Sequence, residues 1–140
     1  MDYRLERFVS AQDSGDGYDS ILAELRAGRK VSHWMWYVFP QVDGLGSSSM
    51  ARRYAIGSLD EARAYLAHPV LRARLDAAVD ALLGVDGRSI TTILGPVDAM
   101  KLRSSMTLFD AAEPEAGGFR KILDKYFHGQ SDDRTTALLP

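Results

Sequence analysis

Between Pro69 and Gly84 the chain carries Val70, Leu71, Leu75, Ala78, Val79, Leu82 and Leu83. That spacing follows the helical period of about 3.6 residues. So long an apolar stripe commits the segment to a buried helical face, with proline suited to the first turn and glycine to the stop. Other segments keep the same period. Leu5, Phe8 and Val9 place a helix over residues 2–11, and Tyr18, Ile21, Leu22 and Leu25 place a second that ends by Gly28. Phe119, Ile122, Leu123, Tyr126 and Phe127 mark another. Ser58-Leu-Asp-Glu61 reads as a capping box opening a helix through Leu66, and Met50–Ile56 reads as helical too. Ser89 and Pro96 begin two further pieces with a break at Gly95-Pro96, and Asp132–Leu139 closes the chain with a short helix. No segment sustains period-two alternation, and Asp86-Gly87 falls between helical stretches rather than between strands. The expectation is an all-α fold, a single compact domain over residues 1–140, with about eight to ten short helices.

Composition narrows the function classes. A chain of 140 residues can bury a core without disulfides or metal staples. Its 17 basic and 19 acidic residues leave a formal charge of −2, which gives no electrostatic basis for general nucleic-acid or membrane-surface binding. The absence of cysteine excludes disulfides, thiolate zinc sites and thiol nucleophiles, and suits a reducing compartment. No apolar run approaches the roughly 20 residues that span a bilayer. The opening Met-Asp-Tyr-Arg-Leu-Glu-Arg-Phe is too charged for a signal peptide. These features predict a cytoplasmic protein, with no membrane or nucleic-acid partner and no cofactor.

Residues 32–41, Ser-His-Trp-Met-Trp-Tyr-Val-Phe-Pro-Gln, hold both tryptophans of the chain. The run fits a short helix over 33–39 capped by Ser32, with His33, Trp36 and Tyr37 on one face and Met35 and Phe39 on another. It fits a buried strand equally well, and Pro40 ends it either way. Two roles follow. Trp34 and Trp36 can stack on a base or hold a cation, with His33 as a titrating group near neutrality and Gln41 as a polar partner. Alternatively both indoles belong to the core and His33 meets a neighbouring backbone carbonyl.

A second constellation is Asp98-Ala-Met-Lys101-Leu-Arg-Ser104-Ser105-Met-Thr107. On a helix Asp98, Lys101 and Ser105 share a face, with Ser104 and Thr107 on neighbouring strips. A carboxylate, an amine and hydroxyls on one surface can take a polar or phosphorylated ligand; the other reading is a solvated face with one ordinary ion pair. The order Lys-x-x-Ser is the reverse of the acyl-transfer motif Ser-x-x-Lys, so that chemistry is not indicated. Gly44-Leu-Gly46-Ser-Ser-Ser, followed by Arg52 and Arg53, could cradle an anion or form a capped loop, and it lacks the Walker pattern. His33, His68 and His128 are far apart in sequence and share no metal-ligand spacing, so no metal is expected.

Several stretches together resemble the bacterial "domain of unknown function 1810" family. They are Glu24-Leu-Arg-Ala-Gly-Arg-Lys30, His33-Trp-Met-Trp-Tyr-Val-Phe-Pro-Gln41, Tyr65-Leu-x-His-Pro69, and Asp98-x-x-Lys-x-x-Ser-Ser-Met-Thr-Leu-Phe109. The resemblance extends to Phe127-x-Gly129-x-x-Asp132-x-x-Thr135 and covers nearly the whole chain. It implies a small, mainly helical domain and carries over no catalytic residues. Members are often labelled calpastatin, and no feature of this sequence supports protease inhibition. Arg72 departs from the family pattern, which has glycine there.

The functional expectation is a pocket between the His33–Gln41 block and the Asp98–Thr107 helix, binding a small anionic or nucleotide-like ligand. Trp34, Trp36, Gln41, Lys101, Ser104 and Ser105 would line it. His33, Asp98 and Lys101 are the candidates for hydrolase or transferase chemistry. The alternative is a non-catalytic domain that docks a protein partner through a surface such as Gly44–Arg53.

Overall fold

The computed structural model describes residues 2–140 and, among them, ten α-helices and a single 3-10 turn. The apolar periods of the sequence map onto α1 (Glu6–Asp13), α2 (Tyr18–Arg26), α3 (Met35–Val38), α4 (Ser49–Arg53) and α5 (Leu59–Ala67). They continue through α6 (Pro69–Leu83), α7 (Ile90–Leu94), α8 (Pro96–Ala112), α9 (Gly118–Phe127) and α10 (Asp133–Leu138), with the 3-10 turn at Pro114–Ala116. The all-α expectation and the number of helices both hold.

Side-chain caps open several of the helices. Ser58 Oγ accepts the Glu61 N–H at 3.1 Å, Ser89 Oγ that of Thr92 at 3.1 Å, and Asp132 Oδ2 that of Thr135 at 3.0 Å. His68 Nδ1 does the same for Leu71 at 3.3 Å, opening α6 just before Pro69. Glu61 completes its box by accepting from Gly57 N–H at 3.0 Å, one residue before the cap.

α8 is the central element and packs against α5, α7, α9 and α10. Ringed in this way, it is buried almost all round from Ser104 to Phe109. The same continuous core takes in Phe8, Leu25, Trp34, Tyr65, Leu75, Phe109 and Phe119.

Several boundaries differ from the sequence reading, and the helix of the aromatic block starts at Met35 with no side-chain cap from Ser32. α1 begins at Glu6 rather than residue 2, because Arg4 turns left-handed with φ 52°. α4 stops at Arg53 because Ile56 leaves the helix to pair with Val42 in an isolated parallel bridge. There Ile56 N–H donates to Gln41 at 2.9 Å and Asp43 N–H to Ile56 at 2.8 Å. The aromatic block resolves to one helical turn, with a strand-like bridge immediately after it. Arg72 faces Asp76 at 3.0 Å and Glu113 at 2.6 Å, tying α6 to the end of α8.

Candidate functional site

The site begins with a chain reversal. After α2, Gly28 adopts φ 72° and Lys30 N–H bonds Ile93 C=O at 2.8 Å, so residues 31–34 run back along the last turn of α2. Glu24 receives them. Its Oε1 accepts the backbone N–H groups of Val31 at 2.6 Å and Ser32 at 2.9 Å and the Trp34 indole N–H at 3.1 Å. Its Oε2 accepts the Ser32 hydroxyl at 2.8 Å. Burial alone would raise the Glu24 carboxyl, but the donors from Ser32, Val31 and Trp34 outweigh it and hold the acid below the usual carboxylate range. The latch sets the entry to α3 and locks Trp34, whose side chain is core at 1% exposure.

Facing this latch is the loop between α1 and α2. Gln12, buried at the end of α1, donates to Tyr37 C=O at 2.7 Å and so ties the loop's near end to the aromatic block. The space enclosed is a cleft of about 230 Å³. Ser14, Asp16, Gly17 and Ser20 line it from the loop and the start of α2, together with Glu24, Ser32, His33, Trp34 and Tyr37. The Tyr37 phenol is raised above its ordinary value, chiefly by burial and secondarily by the neighbouring Tyr54. α2 enters the cleft at Gly17, which has no side chain to cap the first-turn N–H groups.

The other half of the aromatic block meets α8. Lys30 Nζ lies 2.9 Å from Asp98 Oδ2 and 5.2 Å from the centre of the Trp34 ring system. Lys101 Nζ lies 3.7 Å from Asp98 Oδ1 and 5.0 Å from that of Trp36. Asp98, in the first turn of α8, thus sits between two lysines, and each lysine rests over one indole. Trp36 is half-buried and Lys101 reaches solvent.

The structure therefore divides the residues singled out in the sequence. His33 and Trp34 line the cleft. Asp98, Lys101 and Trp36 form the seam with α8. Ser104 and Ser105 lie in the interior: the Ser104 hydroxyl meets Thr135 Oγ1 at 2.8 Å, and Ser105 Oγ is buried without a hydrogen-bond partner. Gln41 supplies its backbone carbonyl to the Ile56 bridge. His68 caps α6, and His128 takes a left-handed conformation at the end of α9. Among the described residues no group of three or more histidine or carboxylate side chains is placed to hold a metal, and no helix is long and apolar enough to cross a membrane. The sequence reading missed Glu24 and the Ser14–Gly17 loop as site residues. The only local signal was an acidic residue on the last turn of a helix that stops at glycine.

The family model described as "Protein of unknown function (DUF1810)" matches residues 2–139. Among solved structures, the conserved hypothetical protein Rv1873 from Mycobacterium tuberculosis is 52% identical. It superposes with a TM-score of 0.94, over 98% of this chain and 96% of that one. No curated protein matches the chain.

Proposed function

The chain belongs to the DUF1810 family, and we propose that it binds a small nucleotide-like ligand in the cleft at the His33 end of the aromatic block. One observation carries this reading. The cleft is where ring-bearing side chains (His33 and Tyr37), three serine hydroxyls and the uncapped start of α2 converge. Rings take a flat heterocycle by stacking, and hydroxyls and carboxylates take the hydroxyls of a sugar. The free N–H groups of the first turn of α2 take one anionic group. Asp16 and Glu24 also line the cleft and oppose a high negative charge, so a ligand with few charges fits best.

Hydrolysis or group transfer at a glycosidic or phosphate bond is the chemistry to assay. Glu24 is engaged by four donors, which leaves the exposed His33 imidazole as the side chain on the cleft free to meet a ligand. The Lys101–Asp98–Trp36 seam offers a second placement for the same ligand class, since two lysines share one carboxylate there.

A panel of nucleosides, mononucleotides and sugar phosphates, read by thermal shift and tryptophan fluorescence, tests both. Ligand at 100 times its dissociation constant adds about 2.7 kcal/mol to stability, enough to move the melting temperature visibly. Loss of the shift in His33→Ala but not in Lys101→Ala supports the cleft; the reverse moves the ligand to the seam. A silent panel sinks the ligand reading. It would favour a docking domain, for which the exposed Val31, Val97 and Met100 around the Lys30–Asp98 pair are the relevant surface.

A further inference from the structure

We propose that the cleft between the N-terminal turn and α4 is a second ligand site, distinct from the one above, which takes a small multivalent oxyanion of the phosphate class through Arg4, Arg52 and Arg53. The cleft measures about 270 Å³, and these three arginines line it with Arg7, Asp2 and Asp43.

Arg7 is the frame. Its guanidinium donates to the carbonyls of Arg4 at 3.1 Å, Arg53 at 3.0 Å and Ala55 at 3.0 Å, and pairs with Glu61 at 3.1 Å. That one side chain fixes the N-terminal turn against the end of α4, and its own charge is neutralised. Arg4, Arg52 and Arg53 make no ion pair among the described residues. Against them stand Asp2 and Asp43, giving three positive charges to two negative ones on a chain whose net charge is −2. A guanidinium fork matches phosphate oxygens two at a time, so three of them around one cleft suit an anion with several oxygens and more than one charge.

Arg4 adds an independent sign. It holds φ 52°, with its N–H bound to Asp2 Oδ1 at 2.8 Å. A side chain is disfavoured in that left-handed region and glycine is not. Stability alone would place glycine there; an exposed arginine that makes no ion pair and lines a cleft has a binding rationale instead.

Inorganic pyrophosphate titrated calorimetrically into the full chain at low salt tests the site, with citrate and ADP as comparison arms. Pyrophosphate binding is expected, weakened about tenfold or more in the double variant Arg52→Ala/Arg53→Ala and unchanged in His33→Ala. Arg4→Gly is expected to raise the melting temperature while lowering pyrophosphate affinity, a pairing that a purely structural Arg4 would not produce. ADP binding as tightly as pyrophosphate or more so, and weakened by Arg52→Ala/Arg53→Ala but not by His33→Ala, upholds the site with a nucleoside diphosphate as source; weaker ADP binding upholds it with free phosphates. No pyrophosphate binding, an unchanged affinity in the double variant, or citrate binding equally well would each overturn the proposal. Far-UV circular dichroism checks that the variants are folded.

Discussion

Glu24 accepts the indole N–H of Trp34 at 3.1 Å, and the same carboxylate holds the backbone N–H groups of Val31 and Ser32. One charged group thereby anchors the largest buried side chain and fixes where α3 begins. Glu24→Gln keeps the shape but removes the charge, and should lower unfolding free energy at neutral pH by about 1–2 kcal/mol in urea titration. The pH dependence has a definite sign. The folded-state pKa lies below the ordinary 4.5, so the stabilisation is present above that value and lost as pH falls through the folded pKa. The stability gap between parent and variant should be flat around neutrality and close on acidification below about pH 4.5. A gap that persists undiminished in acid would refute the latch.

The Lys30–Asp98–Lys101 group is asymmetric. Lys30 is 9% exposed at the side chain and 2.9 Å from Asp98, whereas Lys101 is 24% exposed and 3.7 Å away. Asp98→Ala strands a nearly buried lysine beside a second cation, and should cost about 2–4 kcal/mol. Lys101→Ala removes a solvated partner and should cost less than about 1 kcal/mol. The double replacement Lys30→Met/Asp98→Leu should recover much of the Asp98→Ala loss, because a buried ion pair is replaceable by apolar packing when both partners go. Equal costs for Asp98→Ala and Lys101→Ala would show that the seam is solvated throughout.

These relationships show what the sequence could reveal. The stripe from Val70 to Leu83 predicted α6 almost to the residue, because amphipathic period, Pro69 and Gly84 are all local signals. The end of α4 was hidden, since the Val42–Ile56 bridge joins segments with no alternating pattern. His33 and Trp34 were legible as site candidates from residue type. Glu24 was not, because its role depends on a reversal at Gly28 that brings Val31 to Trp34 back alongside it. The hydroxyls of Ser104 and Ser105 suggested a polar face; four packed helices around α8 turned that face inward.

Those two serines should respond in opposite directions. Ser104 Oγ lies 2.8 Å from Thr135 Oγ1 and links α8 to α10. Ser105 Oγ is fully buried and has no partner. Ser104→Ala should destabilise by about 1 kcal/mol, while Ser105→Ala removes an unsatisfied group and should be neutral or stabilising by up to about 1–2 kcal/mol. Chemical denaturation of the two variants decides it. A destabilised Ser105→Ala would mean that the hydroxyl has a buried water or another partner.

The tryptophans should separate in solution as they do in space. Trp34 is 1% exposed with its N–H bound to Glu24, whereas Trp36 is half-buried beneath Lys101. Acrylamide should therefore quench one component of the emission readily and leave another protected. Trp36→Phe should leave only the protected component at a stability cost below about 1 kcal/mol. Trp34→Phe should leave the accessible one and cost about 2–3 kcal/mol, because it opens space in the core and strands one acceptor position of Glu24. Equal quenching of both single-tryptophan variants would place the two indoles in like environments. The block would then be a surface or a core as a whole, and the division into a latched Trp34 and a seam-facing Trp36 would fail.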